Sequence, residues 1–187
     1  MALYPSELEA VQVFKDNTRV LFRPARATDE RAVKEFFYAL PKEESYMRFL
    51  STMKVFPHYD VQRMVNIDYH HVMTIVGVVG ELETERIVAV AQYVLNEEEM
   101  TAEIDFAVRP DYGRKGIASF LLHHLVSIAK ARCIRMLKAY IAPGNERVFG
   151  VFQKLGYVVE SSRVEGIHEI RLHTGQLADV CLMEPSD

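Results

Sequence analysis

The chain has 187 residues, 49% of them hydrophobic, which is enough to bury one sizeable core and short for two, because domains usually run roughly 100 to 200 residues. Against 26 Asp and Glu stand 22 Lys and Arg, a formal charge of -4, so no global positive field draws in nucleic acid or anionic lipid. The two cysteines, Cys133 and Cys181, stand in no Cys-x-x-Cys or metal-type spacing, which argues against a disulfide scaffold or a zinc site and for a reducing compartment. The N-terminus has neither a basic start nor an apolar stretch, and no run approaches the ~20 apolar residues that span a bilayer. A soluble cytoplasmic protein without nucleic-acid or membrane partners is expected.

In chain order, residues 11–14 and 19–22 flank the turn-forming Lys15-Asp16-Asn17-Thr18 and predict a hairpin, followed by Pro24. Thr28 is the expected N-cap of a helix: Asp29 and Glu30 suit the positive end of its dipole, and Val33, Phe36, Phe37 and Leu40 recur at helical spacing up to Pro41. Two shorter helical patterns follow, one at Tyr46, Phe49 and Leu50, the other after Pro57 at Val61, Met64 and Val65. Residues 71–79 and 87–95 are rich in Val and Ile and read as strands about a turn at 80–84. Thr101–Val108 alternates strictly, with Ala102, Ile104, Phe106 and Val108 on one face and Glu103, Asp105 and Ala107 on the other. After the loop Pro110-Asp111-Tyr112-Gly113, the residues Ile117, Leu121, Leu125, Ile128 and Ala129 recur as the buried stripe of a long helix. Residues 136–141 are another strand. Asn145 is a natural N-cap for a helix marked by Val148, Phe149, Phe152 and Leu155 and closed by Gly156; residues 157–161 and 167–172 are two final strands. The sum is one mixed α/β domain over 1–187, with a core at 19–162, an N-terminal hairpin extension at 10–22 and a tail at 173–187.

The unit that carries chemistry is strand, loop and helix in TAEIDFAV RPDY GRKGIASFLL. A strand that enters a helix N-terminus through glycines makes an anion site, since free N–H groups and the helix dipole converge there, and phosphate is the natural guest. Gly113 and Gly116 remove side chains that would block backbone approach, Arg114 and Lys115 add mobile positive charge, and Ala118 keeps the helix start close to a ligand. An isolated GRKGIA reads equally well as a turn with two solvated cations. The spacing matches neither a Walker loop nor the Gly-x-Gly-x-x-Gly dinucleotide pattern.

RPDYGRKGIASFLL resembles the pyrophosphate-binding motif of the GNAT acyltransferases, Gln/Arg-x-x-Gly-x-Gly/Ala, with Gly116 and Ala118 at its last two fixed positions and Gly113 departing from the first. AEIDFAV resembles the family's fourth strand and NERVFGVFQKLGY its following helix, and the resemblance covers roughly residues 19–162. More narrowly, RPARATDERAVKEFFYAL, ESYMRFL and VNIDYHH are similar to GNAT domains of bacterial protein lysine acetyltransferases fused to acyl-CoA-synthetase-like modules, and to those appended to acyl-CoA hydrolase/transferase proteins. The resemblance implies a mixed, mostly antiparallel sheet, flanked by helices and splayed between the family's fourth and fifth strands, with the pantetheine arm of coenzyme A in the gap. It implies transfer of an acetyl group from acetyl-CoA to a primary amine, a protein lysine for the narrower relatives. It places cofactor contacts on Phe106, Ala107, Val108, Gly113, Arg114, Lys115, Gly116, Ile117, Ala118 and Ser119, and on Asn145, Phe149 and Phe152. A homodimer or a fusion partner is left open.

A lysine with a pKa near ~10.4 is almost wholly protonated at neutral pH, so acyl transfer needs a base. Glu103 occupies the position of the family's strand-borne glutamate, and Asp105 points the same way about 7 Å along, at ~3.3 Å per residue. The resemblance further implies that backbone N–H groups near Phe106 to Val108 face the developing oxyanion. Phe152 stands where many relatives carry a tyrosine that protonates the departing thiolate, although a thiol of pKa about 8.5 leaves tolerably without a strong acid. Phe149 and Phe152 either flank the pantetheine or fill the core, and Asn145 either caps its helix or meets the pantetheine amides. His70 with His71, and His123 with His124, are adjacent pairs whose side chains diverge in any regular structure, so solvated histidines and no metal site are expected. Tyr69 and Arg48 lie in the narrower family blocks without an assigned role. Gly113 and Phe152 motivate the alternative of an acyl-CoA sensor without turnover; the other alternative is transfer to a small amine.

Overall fold

The computed structural model describes residues 3–41, 58–80, 84–142, 145–154, 157, 159–164 and 167–175. The helical pattern at Tyr46, Phe49 and Leu50, together with Arg48, and the helix end at Leu155 and Gly156 lie outside them. Eight strands are described, β1 (Ala10–Val13), β2 (Arg19–Pro24), β3 (Val72–Val79), β4 (Arg86–Asn96), β5 (Thr101–Val108), β6 (Met136–Ile141), β7 (Val159–Val164) and β8 (Ile167–His173). They form one sheet in the order β1-β2-β3-β4-β5-β6-β8-β7, antiparallel at every contact but β5–β6.

The expected hairpin forms because its turn chemistry is right. Phe14 N–H donates to the Thr18 carbonyl, Asn17 takes the left-handed φ of 63°, and the Asp16 carboxylate accepts both the N–H and the hydroxyl of Thr18. Among the described residues, four helices cover the sheet: α1 (Glu30–Tyr38) and α2 (His58–Val65) on one face, α3 (Ile117–Ala131) and α4 (Glu146–Gln153) on the other. The stripe Val33, Phe36, Phe37 and Leu40 packs with Val61, Met64 and Val65 against Val76, Val78 and Val90. Ile117, Leu121, Leu125, Ile128 and Ala129 pack against Ala102, Ile104, Leu137 and Ile170 on the opposite face. The alternation of β5 therefore splits between two cores: Phe106 and Val108 lean on the α3 side and Ala107 on the α1 side.

The start of α1 differs from expectation. A 3₁₀ turn (Ala27–Asp29) precedes it, and Asp29, not Thr28, is the N-cap. The reason is a buried cation: Arg23, 6% exposed on β2, is clamped by the two Asp29 oxygens at 2.6 and 2.8 Å, and the same carboxylate accepts the Arg26 N–H at 2.8 Å. A buried guanidinium without a counter-charge costs far more than a shifted cap. Likewise, the penultimate strand starts at Val159 instead of residue 157.

The expected splay is present. β5 and β6 pair in parallel only at Thr101↔Met136, Ala102↔Leu137 and Glu103↔Lys138. Beyond that point Ala139, Tyr140 and Ile141 continue on β8 while β5 continues on β4 through Ala89↔Val108, so the two strands separate. Among the described residues, no helix is long and apolar enough to cross a membrane.

Candidate active site

The loop from β5 to α3 sits beside the mouth of that splay. Tyr112 and Gly113 spend their amides inside a 3₁₀ turn, on the carbonyls of Arg109 and Pro110. Among the described residues, the next six amides, Arg114 to Ser119, have no main-chain acceptor, and the ladder of α3 begins with Phe120 N–H donating to Gly116. Left-handed backbone stands at Arg114 (φ 61°) and at Gly116 (φ 94°), on either side of Lys115, the kind of conformation from which anion-binding nests are built. Glycine at 116 is required by φ rather than by space, since an added Cβ would meet the Phe14 ring only at 3.7 Å.

The structure gives two residues of this loop partners within the protein. Gly113 offers no free amide; it serves the turn, where a Cβ would stand 3.1 Å from the Pro110 oxygen. Lys115 is engaged within the protein. Its ammonium lies 2.6 Å from Asp16 Oδ2, donates to Thr18 Oγ1 at 3.2 Å and sits 5.0 Å above the Tyr112 ring, so the hairpin turn and the loop are tied together. Lys115, and then Thr18, hold the Asp16 carboxyl down at about 2. Tyr112 has a second cation at its ring, Arg86 at 5.4 Å, which also donates to the phenol oxygen at 2.7 Å. Arg114 is exposed.

Glu103 and Asp105 project from β5 on the α1 side, as the alternation requires. Glu103 is the last residue of β5 paired with β6, so it stands where the gap opens. No hydrogen bond or ion pair engages it among the described residues, and partial burial, then the charge of Asp105, raise its pKa above the ordinary carboxylate value. Opposite Asp105 on β4 stands Gln92, whose amide donates to Thr74 Oγ1 on β3 at 2.8 Å, both side chains buried. This polar row was missed in the sequence, although two polar residues inside Val/Ile-rich strands were its visible signal.

Asn145 caps α4, its Oδ1 accepting the Val148 N–H at a long 3.4 Å. Phe152 is 1% exposed, 6.0 Å from the Phe106 ring, and belongs to the core; Phe149 is half-buried beside His168. The histidine pairs depart from expectation. His124 is half-buried and bonded to the Leu8 carbonyl at 2.8 Å, and burial lowers its pKa against that bond. His70 and His71 converge instead of diverging, because Tyr69 has a left-handed φ of 58° and the pair lies in no regular element. The hydrogen bond to Asp68, with Glu97 adding to it, raises the pKa of His71. Cys133 is disulfide-bonded, against the expectation that the cysteines make no disulfide.

The sequence profile of the Acetyltransferase (GNAT) family matches residues 35–157, well over half of the chain, and the chain belongs to that family. An acetyltransferase of Pseudomonas aeruginosa is 26% identical over 148 residues, 79% of this chain and 80% of that protein. Among solved structures, the GNAT domain of S. lividans PAT superposes with a TM-score of 0.83 at 24% identity, over 91% of this chain and 99% of that one. RimL, a ribosomal L7/L12 alpha-N-protein acetyltransferase in complex with coenzyme A, gives 0.64 at 15% identity over 88% and 96%. The splayed mixed sheet is the GNAT fold, and the protein is an N-acetyltransferase.

Proposed function

We propose that the enzyme takes its acetyl group from acetyl-CoA and delivers it to a primary amine, a lysine side chain presented by a protein, with Glu103 as the base. The observation that carries the first half is the row of six amides from Arg114 to Ser119 at the mouth of α3, which meet no main-chain acceptor among the described residues. That donor set fits a diphosphate, and a mouth lined by carbonyls or carboxylates would not. Arg114 adds charge from solvent, and Lys115 reaches the same ligand if it exchanges Asp16 for phosphate. On its side facing the gap, β5 beyond Glu103 has no strand partner, so the backbone of Phe106, Ala107 and Val108 remains for an extended amide-bearing arm. Bound acetyl-CoA supplies an acyl group already activated as a thioester.

The remaining work falls to side chains of this chain. Glu103 takes the proton from the acceptor nitrogen, and a pKa raised above the ordinary carboxylate value suits a base that must be ionised yet strong. Asp105 supports it by its charge. Phe152 holds no proton, so α4 supplies no acid at that position. The face that Glu103 shares with Tyr140, Arg171 and Ser162 is exposed, and no described helix covers those three residues. Such a face suits a lysine on a macromolecular surface better than an enclosed small amine.

Calorimetric titration with acetyl-CoA tests the cofactor; no heat at high protein concentration would remove it. Glu103→Gln is expected to lower kcat about 10²- to 10⁴-fold with an unchanged acetyl-CoA Kd. Equal turnover would take Glu103 out of the role. Turnover with small amines and none with lysine-bearing proteins would overturn the acceptor.

A further inference from the structure

At the closed end of the sheet lies a cluster that acetyl transfer does not use. Asp68, Tyr69, His70 and His71 lead into β3, and the left-handed turn at Tyr69 brings the two imidazoles edge to face with centroids 4.9 Å apart. Glu97, after the end of β4, enters between them: its Oε1 lies 3.0 Å from His71 Nε2 and 3.5 Å from His70 Nε2. Behind His71, Nδ1 is 2.6 Å from Asp68 Oδ2, while Asp68 Oδ1 accepts the N–H groups of His70 and Val72 at 2.9 and 3.0 Å.

The three side chains turn Nε2 of His70, Nε2 of His71 and Oε1 of Glu97 toward one another, while Asp68 takes the far nitrogen of His71. The spacing of these atoms admits a metal ion. A tetrahedral ion with bonds of about 2.0–2.2 Å holds its ligand atoms about 3.3–3.6 Å apart. The two measured edges are 3.0 and 3.5 Å, and the ligand atoms of all three residues lie within 4.8 Å of one another. A carboxylate fixing the far nitrogen of a histidine is also the usual outer support of a metal-bound imidazole.

We propose that His70, His71 and Glu97 form a divalent-cation site of the zinc class, oriented by Asp68 and completed by water. Two imidazoles and one carboxylate suit zinc, and cobalt as its spectroscopic substitute. The site is exposed and structural. It joins the entry of β3 to the turn after β4, and in that turn Glu99 reaches Lys138 on β6 at 3.0 Å. The cation thus reinforces the paired end from which β5 and β6 diverge.

The test titrates the whole chain with zinc chloride by calorimetry and by thermal unfolding, and with cobalt chloride by visible absorption. The expected result is saturable 1:1 binding, a rise in Tm reversed by EDTA, and a cobalt spectrum of tetrahedral intensity. Glu97→Gln and His71→Ala should each abolish all three, and Asp68→Asn should weaken binding about 10- to 100-fold. His123→Ala, at an exposed histidine of α3, should change nothing. Absence of 1:1 binding in the parent chain overturns the site, as does undiminished binding in Glu97→Gln. Because Glu97→Gln removes charge without volume, it carries the test even where His71→Ala perturbs folding.

Discussion

Replacing Gly116 by alanine separates backbone shape from space in the anion loop. The added methyl meets nothing closer than the Phe14 ring at 3.7 Å, an ordinary contact, so steric exclusion contributes little. The φ of 94° is the difficulty, since holding an L-residue in left-handed backbone costs about 1–2 kcal/mol. If the loop keeps its shape, that cost appears as lost stability, about 2–8 °C in Tm at about 2–4 °C per kcal/mol for a chain of this size. If the loop relaxes instead, the amides of Ile117 and Ala118 turn away, and the same energy appears as about 5- to 30-fold weaker acetyl-CoA binding. Differential scanning fluorimetry and calorimetric titration on one sample read the two outcomes together. An unchanged Tm together with an unchanged Kd would refute the claim that this backbone conformation builds the site.

Three further perturbations address separate parts of the molecule. Glu103 accepts a proton only when ionised, so kcat/KM should fall as pH drops through its raised pKa; Asp105→Asn removes one cause of the rise and should move that acid limb to lower pH, while an unmoved limb would assign it to another group. Asp16→Asn frees Lys115 from its ion pair and should tighten acetyl-CoA binding, more so at low salt, as calorimetry at two ionic strengths will show; weaker binding would make the pair a support of the loop instead of a competitor for phosphate. Asp29→Ala strands the buried Arg23 guanidinium and should cost about 3–5 kcal/mol in urea unfolding, whereas a loss under ~1 kcal/mol, the scale of an exposed pair, would mean that solvent reaches the arginine.

Much of this architecture was legible because side-chain periodicity reports burial directly. The alternation of Thr101–Val108 gave both the strand and the face on which Glu103 and Asp105 would lie, since period two leaves no other assignment. The stripe of α3 was legible for the same reason. What escaped depends on contacts distant in sequence. Nothing near Lys115 announces that its partner is Asp16, and nothing near Thr28 reveals that buried Arg23 draws the Asp29 carboxylate and with it the cap. The convergence of His70 and His71 escaped because the rule of divergent neighbours assumes regular backbone, and Tyr69 leaves it. Phe152 was readable as core or as a cofactor wall until packing put it against Phe106.

The position of Glu103 follows from where two strands stop pairing. The β5–β6 register ends at Glu103↔Lys138, so the first β5 backbone groups without a partner on that side among the described strands occur one or two residues beyond the proposed base. In the proposed reaction, alternation would place the two substrates on different faces. Phe106 and Val108 lean toward α3, whose first turn holds the amides that meet no main-chain acceptor among the described residues, while Glu103 and Asp105 face the exposed side. Cofactor and acceptor can therefore approach one short segment from opposite sides without competing for space. The arrangement tolerates conservative change within β5 but not a shift of register. Inserting one residue between Glu103 and Phe106 would carry Phe106 and Val108 to the acid face and move the opening of the gap relative to the loop.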